Sequence, residues 1–326
     1  MNLAEGLAEE VSAWLGDLGW GNPQRVLGGR NNRIFKVTGE GSEAALKIYY
    51  RGEGDSRDRY AHEKAFYALA STCGASAPLW LAGNDQLGVS LLEWVEGEPV
   101  SLPVGRDDVL GAADFLNRIN TDKFPADLKE MQASEARFTT SEHVALLETR
   151  IDALQKNAKE SRVLLDFIAA EIRPAAEQAQ NLLLSNGSAD FGQWGGGRIF
   201  SPGDFGLHNA LRKTDGGTVF FDFEYSGWDD PAKTVADVFL QPEKPVEWGL
   251  LGEFCSMLSA WPGLEDRVRA WIPFYAVKWA VILMNSAARD GAQRRAFAGD
   301  STDDQMLSRQ IEKARGVLER GRQFSQ

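Results

Sequence analysis

Asp204 and Asn209 stand five residues apart in Ser201-Pro-Gly-Asp-Phe-Gly-Leu-His-Asn209, a stretch whose proline and two glycines mark a loop. In a loop, an aspartate can accept a hydroxyl proton, and an asparagine carbonyl oxygen can ligate a hard divalent cation. The same spacing recurs at Asp17/Asn22 and Asp152/Asn157, in or beside helical patterns, where it reads as a cap or turn. A second group is Thr218-Val-Phe-Phe-Asp222-Phe-Glu224, an apolar strand that closes on two carboxylates. Positions two apart share a face of an extended chain, so Asp222 and Glu224 are expected to point together and bind a divalent cation. A carboxylate that only makes a turn is the ordinary alternative.

Lys47 lies inside the apolar run Ala44–Ile48. If buried, it needs a counter-charge, and Glu63 in the helical stretch that follows can supply one. On an edge strand it would face solvent instead. Gly28-Gly29-Arg30-Asn31-Asn32 joins two strand-like runs. Glycine and asparagine tolerate positive φ, so the turn either aims backbone N–H groups at a phosphate or closes a plain hairpin.

The elements that must position these groups follow from periodicity. Leu3, Leu7, Val11, Trp14 and Leu15 predict a helix over 3–18. Short strands follow at Arg25–Leu27, Ile34–Val37 and Ala44–Tyr49, then a helix over 55–69 and strands at 79–81 and 88–94. Glu93 to Pro99 reads as a linker. Beyond it the pattern is mostly helical, at 105–120, 141–157, 161–185, 247–262, 265–290 and 302–322. The Gly-rich, strand-like island 197–224 interrupts it. Trp14, Trp20, Trp80, Trp271 and Trp279 read as core.

The 326 residues include 47 acidic and 35 basic side chains, a net charge of −12. Such a chain repels phosphate backbones, which disfavours nonspecific nucleic-acid binding. Two cysteines without a CxxC pair and three histidines argue against a zinc cluster or a disulfide framework. No basic segment followed by an apolar one opens the chain, and the longest apolar stretch, near 274–284, contains Lys278. A cytoplasmic protein without a membrane span is expected. A Walker A loop, a G-x-S-x-G elbow and a GxGxxG fingerprint are absent from the sequence.

Taken in order, a Gly-rich hairpin, a strand lysine, a helix glutamate, a linker, Asp-x4-Asn and a strand-end Asp are the parts of a kinase-type phosphoryl transferase. On these residues the chain resembles the aminoglycoside phosphotransferase/choline kinase-like family from residue 25 to about 240. The resemblance implies an α+β, bilobal protein-kinase-like fold, with a small antiparallel-sheet lobe over 1–96 and a mostly helical lobe over 97–326. It implies ATP and Mg2+ as cofactors and a small hydroxyl-bearing acceptor, a sugar, amino sugar or amino alcohol, as partner. Lys47 would meet the α and β phosphates and Glu63; Gly28, Gly29, Asn31 and Asn32 would line the nucleotide. Backbone groups of Glu93 and Val95 would meet adenine. Asp204 would be the catalytic base, Asn209 and Asp222 would hold Mg2+, and Glu224 would help a second ion.

The sequence also departs from the family. Pro202 stands where the family has a histidine, and Glu224 where protein kinases have the glycine of Asp-Phe-Gly. No long activation loop follows, since Trp228-Asp-Asp-Pro231 leads at once into a helix, and this favours a small acceptor. His208, Tyr225, Trp228 and Asp229 are the candidates to line the acceptor pocket, with Asp229, Asp230 and Trp228 able to hold an ammonium group. Asp230 before Pro231 is equally a helix cap. Asp237 on that helix is the expected anchor of the catalytic loop. A nucleotide-binding module without phosphotransfer is the alternative, motivated by Pro202.

Overall fold

Side-chain alternation in Ala44–Ile48 divides one strand between two environments: Ala44 and Leu46 point one way, Ala45 and Lys47 the other. In the computed structural model, which describes residues 7–26, 32–52, 57–120, 124–158, 161–185, 194, 196–285 and 306–324, that strand is interior. The sheet consists of β1 (Gly21–Val26), β2 (Arg33–Gly39), β3 (Ser42–Ile48), β4 (Trp80–Asn84) and β5 (Val89–Glu93), ordered β1-β2-β3-β5-β4 and antiparallel throughout. Helix α1 (Glu9–Asp17) lays Val11 and Leu15 on Phe35, Val37, Ala44, Leu46, Val89 and Leu91. On the other face Ala45 and Leu92 join the core that contains Phe66 and Tyr67 of α2 (Arg59–Cys73). Lys47 therefore faces α2, not solvent.

Strand β1 begins before Arg25 and includes Pro23. It is a sheet edge, where a missing N–H costs no ladder bond, and its register slips between Gly21 and Gln24. Helix α2 starts at Arg59 because the Asp58 carboxylate accepts a hydrogen bond from Ala61 N at 2.9 Å. It stops at Gly74, which takes the left-handed conformation.

The rest is mostly helical: α3 (Arg106–Ile119), α4 (Thr140–Asn157), α5 (Arg162–Phe167), α6 (Arg173–Ser185), α7 (Pro231–Leu240), α8 (Leu251–Met257), α9 (Leu264–Asn285) and α10 (Met306–Arg322). Helix α9 is buried on most sides and packs against α4, α6, α7 and α10. The single helix expected over 161–185 is interrupted by a π-helical turn at Ile168–Ile172, next to Pro174, whose ring and missing N–H break the regular ladder. Of the expected helix 247–262 only α8 and a short 3-10 turn at Trp248–Leu250 form. No helix among the described residues is long and apolar enough to cross a membrane.

Two small ladders frame the Gly-rich island. β7 (Ile199–Ser201) pairs with β10 (Gly227–Asp229), and β8 (Ala210–Arg212) lies between β6 (Glu98–Pro99) and β9 (Thr218–Phe220). Between them sits an aromatic block. Phe115 of α3 approaches Phe205, Phe220 and Phe223 with ring centroids 5.7, 4.9 and 5.8 Å away, and Phe66 reaches Phe223 at 4.3 Å. Phe205 follows Asp204 and Phe223 follows Asp222. Each phenylalanine drives inward, worth about 1.5–3 kcal/mol of burial apiece, and each aspartate is left at the cleft.

Candidate active site

Lys47 is the hub. Its Nζ lies 2.7 Å from Glu63 Oε2, 2.5 Å from Asp222 Oδ1 and 3.5 Å from Glu224 Oε2. Strand β3, helix α2 and the segment after β9 each contribute to this cluster, so one lysine ties the sheet to the helical lobe. Burial opposes its charge, but the fields of Asp222, Glu63 and Glu224 outweigh burial and hold its pKa well above the usual lysine range. Burial pushes the Glu63 carboxyl up to about 7, against the pull of Lys47 and with Asp222 and Glu224 adding to the rise. Asp222 is raised for the same reason.

Asp222 and Glu224 do converge, but not along an extended strand. β9 ends at Phe220, and Asp222 adopts φ 68°, a left-handed residue. The chain turns there because Phe223 must enter the aromatic block and its N–H donates to Glu63 Oε1 at 3.1 Å. The carboxylates of Glu63, Asp222 and Glu224 each place an oxygen within 4.8 Å of the others. They differ in access: the Asp222 side chain is 35 % exposed, while Glu63 and Glu224 are sealed.

Arg59 is the site residue that the sequence reading missed. Its Nη1 donates to Glu224 Oε1 and, at 2.7 Å, to Tyr225 Oη. Asn32 Nδ2 donates to Glu224 Oε2 at 2.6 Å, while Asn32 Oδ1 accepts from Tyr50 N at 3.1 Å. Burial alone would raise the Glu224 pKa; Lys47, Arg59 and the Asn32 bond reverse that and hold it below the ordinary value. Arg59 stands four residues before Glu63, on the same face of α2, and that spacing was the available signal. Gly28, Gly29 and Asn31 lie outside the described residues.

The loop around Asp204 is held from several sides. Asn120, at the C-terminal cap of α3, brackets Phe200, accepting from its N–H at 2.7 Å and donating to its carbonyl at 3.0 Å. Gly203 takes φ 84° and donates to Ser201 Oγ at 3.1 Å. A Cβ at Gly203 would run into the Tyr225 carbonyl, so only glycine brings these segments together. Asn209 Nδ2 donates to the Asp204 carbonyl at 3.0 Å, and Phe221 N donates to the Asn209 carbonyl at 3.1 Å. Asp204 is 37 % exposed, with His208 Nε2 3.5 Å from its Oδ1. With proline at 202, the loop is held by Asn120 and Ser201, and His62 of α2 holds the neighbouring segment, its Nδ1 2.7 Å from the Ser226 carbonyl.

The candidate acceptor residues divide. Tyr225 is bonded to Arg59. Trp228 is half-buried against Phe124 and Phe200, and its Nε1 donates to the Leu128 carbonyl at 2.9 Å. Asp229 is fully buried and pairs with Lys233 at 2.6 Å, an i,i+4 pair that takes its carboxylate away from any ammonium. Asp230 caps α7 through Ala232 N at 2.8 Å and pairs with Arg267. Asp237 meets Lys233 at 3.1 Å and Trp279 Nε1 at 2.9 Å, so its bonds run within the helical core and not to the Asp204 loop. In the linker, Glu93 N donates to the Leu79 carbonyl at 2.8 Å, and Trp94 lies under the Lys36 ammonium. Val95 is half-buried.

Residues 23–250 of this chain match the phosphotransferase enzyme family. The chain belongs to that family. The phosphotransferase has no match among the curated proteins. Its fold is that of the protein-kinase-like small-molecule kinases. The choline kinase LicA from Streptococcus pneumoniae superposes with a TM-score of 0.60 at 15% identity, over 96% of this chain and 98% of that one. An ADP-bound aminoglycoside phosphotransferase gives 0.61 at 14% identity, over 97% and 99%. An ethanolamine kinase from Plasmodium vivax gives 0.57 at 14%, over 97% and 84%.

Proposed function

We propose that this phosphotransferase moves the γ-phosphoryl group of ATP to a hydroxyl of a small acceptor, with Mg2+ in the cleft. The observation that carries the reading is Lys47 bonded at once to Glu63 and Asp222, with Asp204 and Asn209 on the adjoining loop. The residues fit a magnesium ion. Asp222 is a cleft-facing carboxylate in a cluster with excess negative charge, and Asn209 spends its amide nitrogen on Asp204, leaving its oxygen as the ligand atom. A bound ion would neutralise charge on the phosphates. Lys47 holds the α and β phosphates while Glu63 fixes its ammonium. Asp204 orients the acceptor hydroxyl and takes its proton. With the Glu93 amide bonded to Leu79, adenine would meet the Glu93 carbonyl and the Val95 backbone.

The acceptor would sit beside Asp204, His208, Tyr225 and Trp228. The structurally similar proteins include choline, ethanolamine and aminoglycoside kinases, so amino alcohols and amino sugars head the test panel, followed by neutral sugars. Asp229, bound to Lys233, and Trp228, whose ring already meets the Arg198 guanidinium at 5.1 Å, are both engaged by cations of the chain itself. The test is acceptor-dependent ADP release by wild type and Asp204→Ala. Turnover that disappears in the variant supports the reading. Undiminished turnover in Asp204→Ala refutes the catalytic assignment, and nucleotide binding without turnover on any acceptor favours a binding module.

A further inference from the structure

Glu224 lies within reach of Asp222, yet the two carboxylates face different surroundings. Both oxygens of Glu224 are engaged, Oε1 by Arg59 and Oε2 by Asn32 at 2.6 Å, and the side chain is sealed from the cleft. Arg59 is itself buried and fixed, bonded to the Tyr225 hydroxyl at 2.7 Å with its guanidinium 5.0 Å from that ring centroid. It rises from the same helix face as Glu63, so the backbone of α2 sets its place relative to Lys47. A divalent ion entering with a nucleotide reaches the exposed Asp222 directly. To reach Glu224 it must displace Arg59 or Asn32.

Charge points the same way. Glu63 faces Lys47 and Glu224 faces Arg59, and the carboxylate of the three that is open to the cleft is Asp222.

We propose that Arg59 fills, as a fixed guanidinium, the place of a divalent cation at Glu224, so that the cleft holds its divalent cation through Asp222 and not through Glu224. Glu224 is then a positioning residue. With Asn32 and Arg59 it joins the end of the nucleotide loop to α2 and to the segment carrying Asp222. This rests on the phosphotransfer reading above and specifies its metal site. A guanidinium has fixed donors and no exchangeable ligands, so it supplies positive charge without needing free metal.

The test counts Mn2+ by electron paramagnetic resonance, with protein in excess over a non-hydrolysable ATP analogue so that all the analogue is bound. Arg59→Ala is expected to bind one Mn2+ per analogue more than wild type, and more weakly. Arg59→Lys is expected to return the count to that of wild type. Glu224→Gln is expected to keep the first Mn2+, weakened by ~10-fold as for loss of an outer support of a metal ligand. Asp222→Asn should lose it. Loss of Mn2+ in Glu224→Gln as complete as in Asp222→Asn overturns the inference and leaves the phosphotransfer reading standing. No additional ion in a folded Arg59→Ala also overturns it. Failure of wild type to bind the analogue at all overturns the phosphotransfer reading and the inference with it.

Discussion

Lys47 is surrounded by more carboxylate than one ammonium neutralises, and its removal shows what each partner was worth. Lys47→Ala leaves Glu63 sealed and without its cation, a change that costs about 3–5 kcal/mol when a buried pair is broken from one side. The expected result is a matching drop in the urea-unfolding free energy. Adding Glu63→Gln to the same chain should recover part of it. Asp204 behaves differently because its side chain is open to the cleft. Asp204→Asn is expected to keep the melting temperature of wild type while kcat falls by about 10²–10⁴, the usual worth of a positioned acid–base group. His208, 3.5 Å away, is legible from its place beside Asn209, but its contact with Asp204 depends on the turn at Gly206 that no sequence pattern specifies.

At the scale of elements, the turn at Gly203 is a joint between two loops. Gly203→Ala puts a Cβ into the Tyr225 carbonyl at a φ that L-residues avoid. It is expected to cost about 1–3 kcal/mol in stability and to lower kcat more than it raises the KM for ATP, since the Asp204 loop moves and Lys47 does not. Helix α9 carries a different signature. Burial pushes the Lys278 ammonium down to about 7 from an ordinary 10.5, helped by Lys233 and Arg150 and opposed by Asp237 and Asp229. The folded chain therefore holds fewer protons than the unfolded one between those pH values, so this group's contribution to stability rises with pH from about 7 toward 10.5. Thermal melts of Lys278→Met against pH should lack that rise, and the gain over wild type should be largest at and below pH 7. A profile in Lys278→Met that still climbs as steeply as wild type would show that another group carries it.

For the whole molecule, the Lys47–Asp222 bond is the direct electrostatic link between the sheet lobe and the aspartate at the mouth of the helical lobe. A nucleotide–metal complex has to exchange that bond for phosphate on Lys47 and metal on Asp222. Mg2+ with an ATP analogue at 100 times its Kd is expected to stabilise the fold by about 2.7 kcal/mol. Differential scanning calorimetry should show the shift with Mg2+ present, and Asp222→Ala should lose it. The net charge of −12 adds a kinetic consequence. The overall field repels ATP, so its association rate should rise with ionic strength, and stopped-flow traces at low and moderate salt would show this.

What the sequence determined by itself is local and periodic. Alternation in β3 puts Lys47 on the face opposite Leu46, and a phenylalanine after each of Asp204 and Asp222 drives one residue inward and its neighbour outward. The order of these parts along the chain carried the resemblance that implied a two-lobed architecture. What only the tertiary structure decided is which partner each charge finds. Asp222 turns left-handed where an extended strand end was expected. Asp229 turns inward to Lys233, and Asp237 to the core of α7 and α9. Arg59 and Glu224 stand 165 residues apart and meet only because α2 packs beside the segment after β9. Periodicity reports the face on which a side chain lies. A buried charge is fixed by the one opposite charge that reaches it without water between them, and that pairing exists only once separate elements share a core.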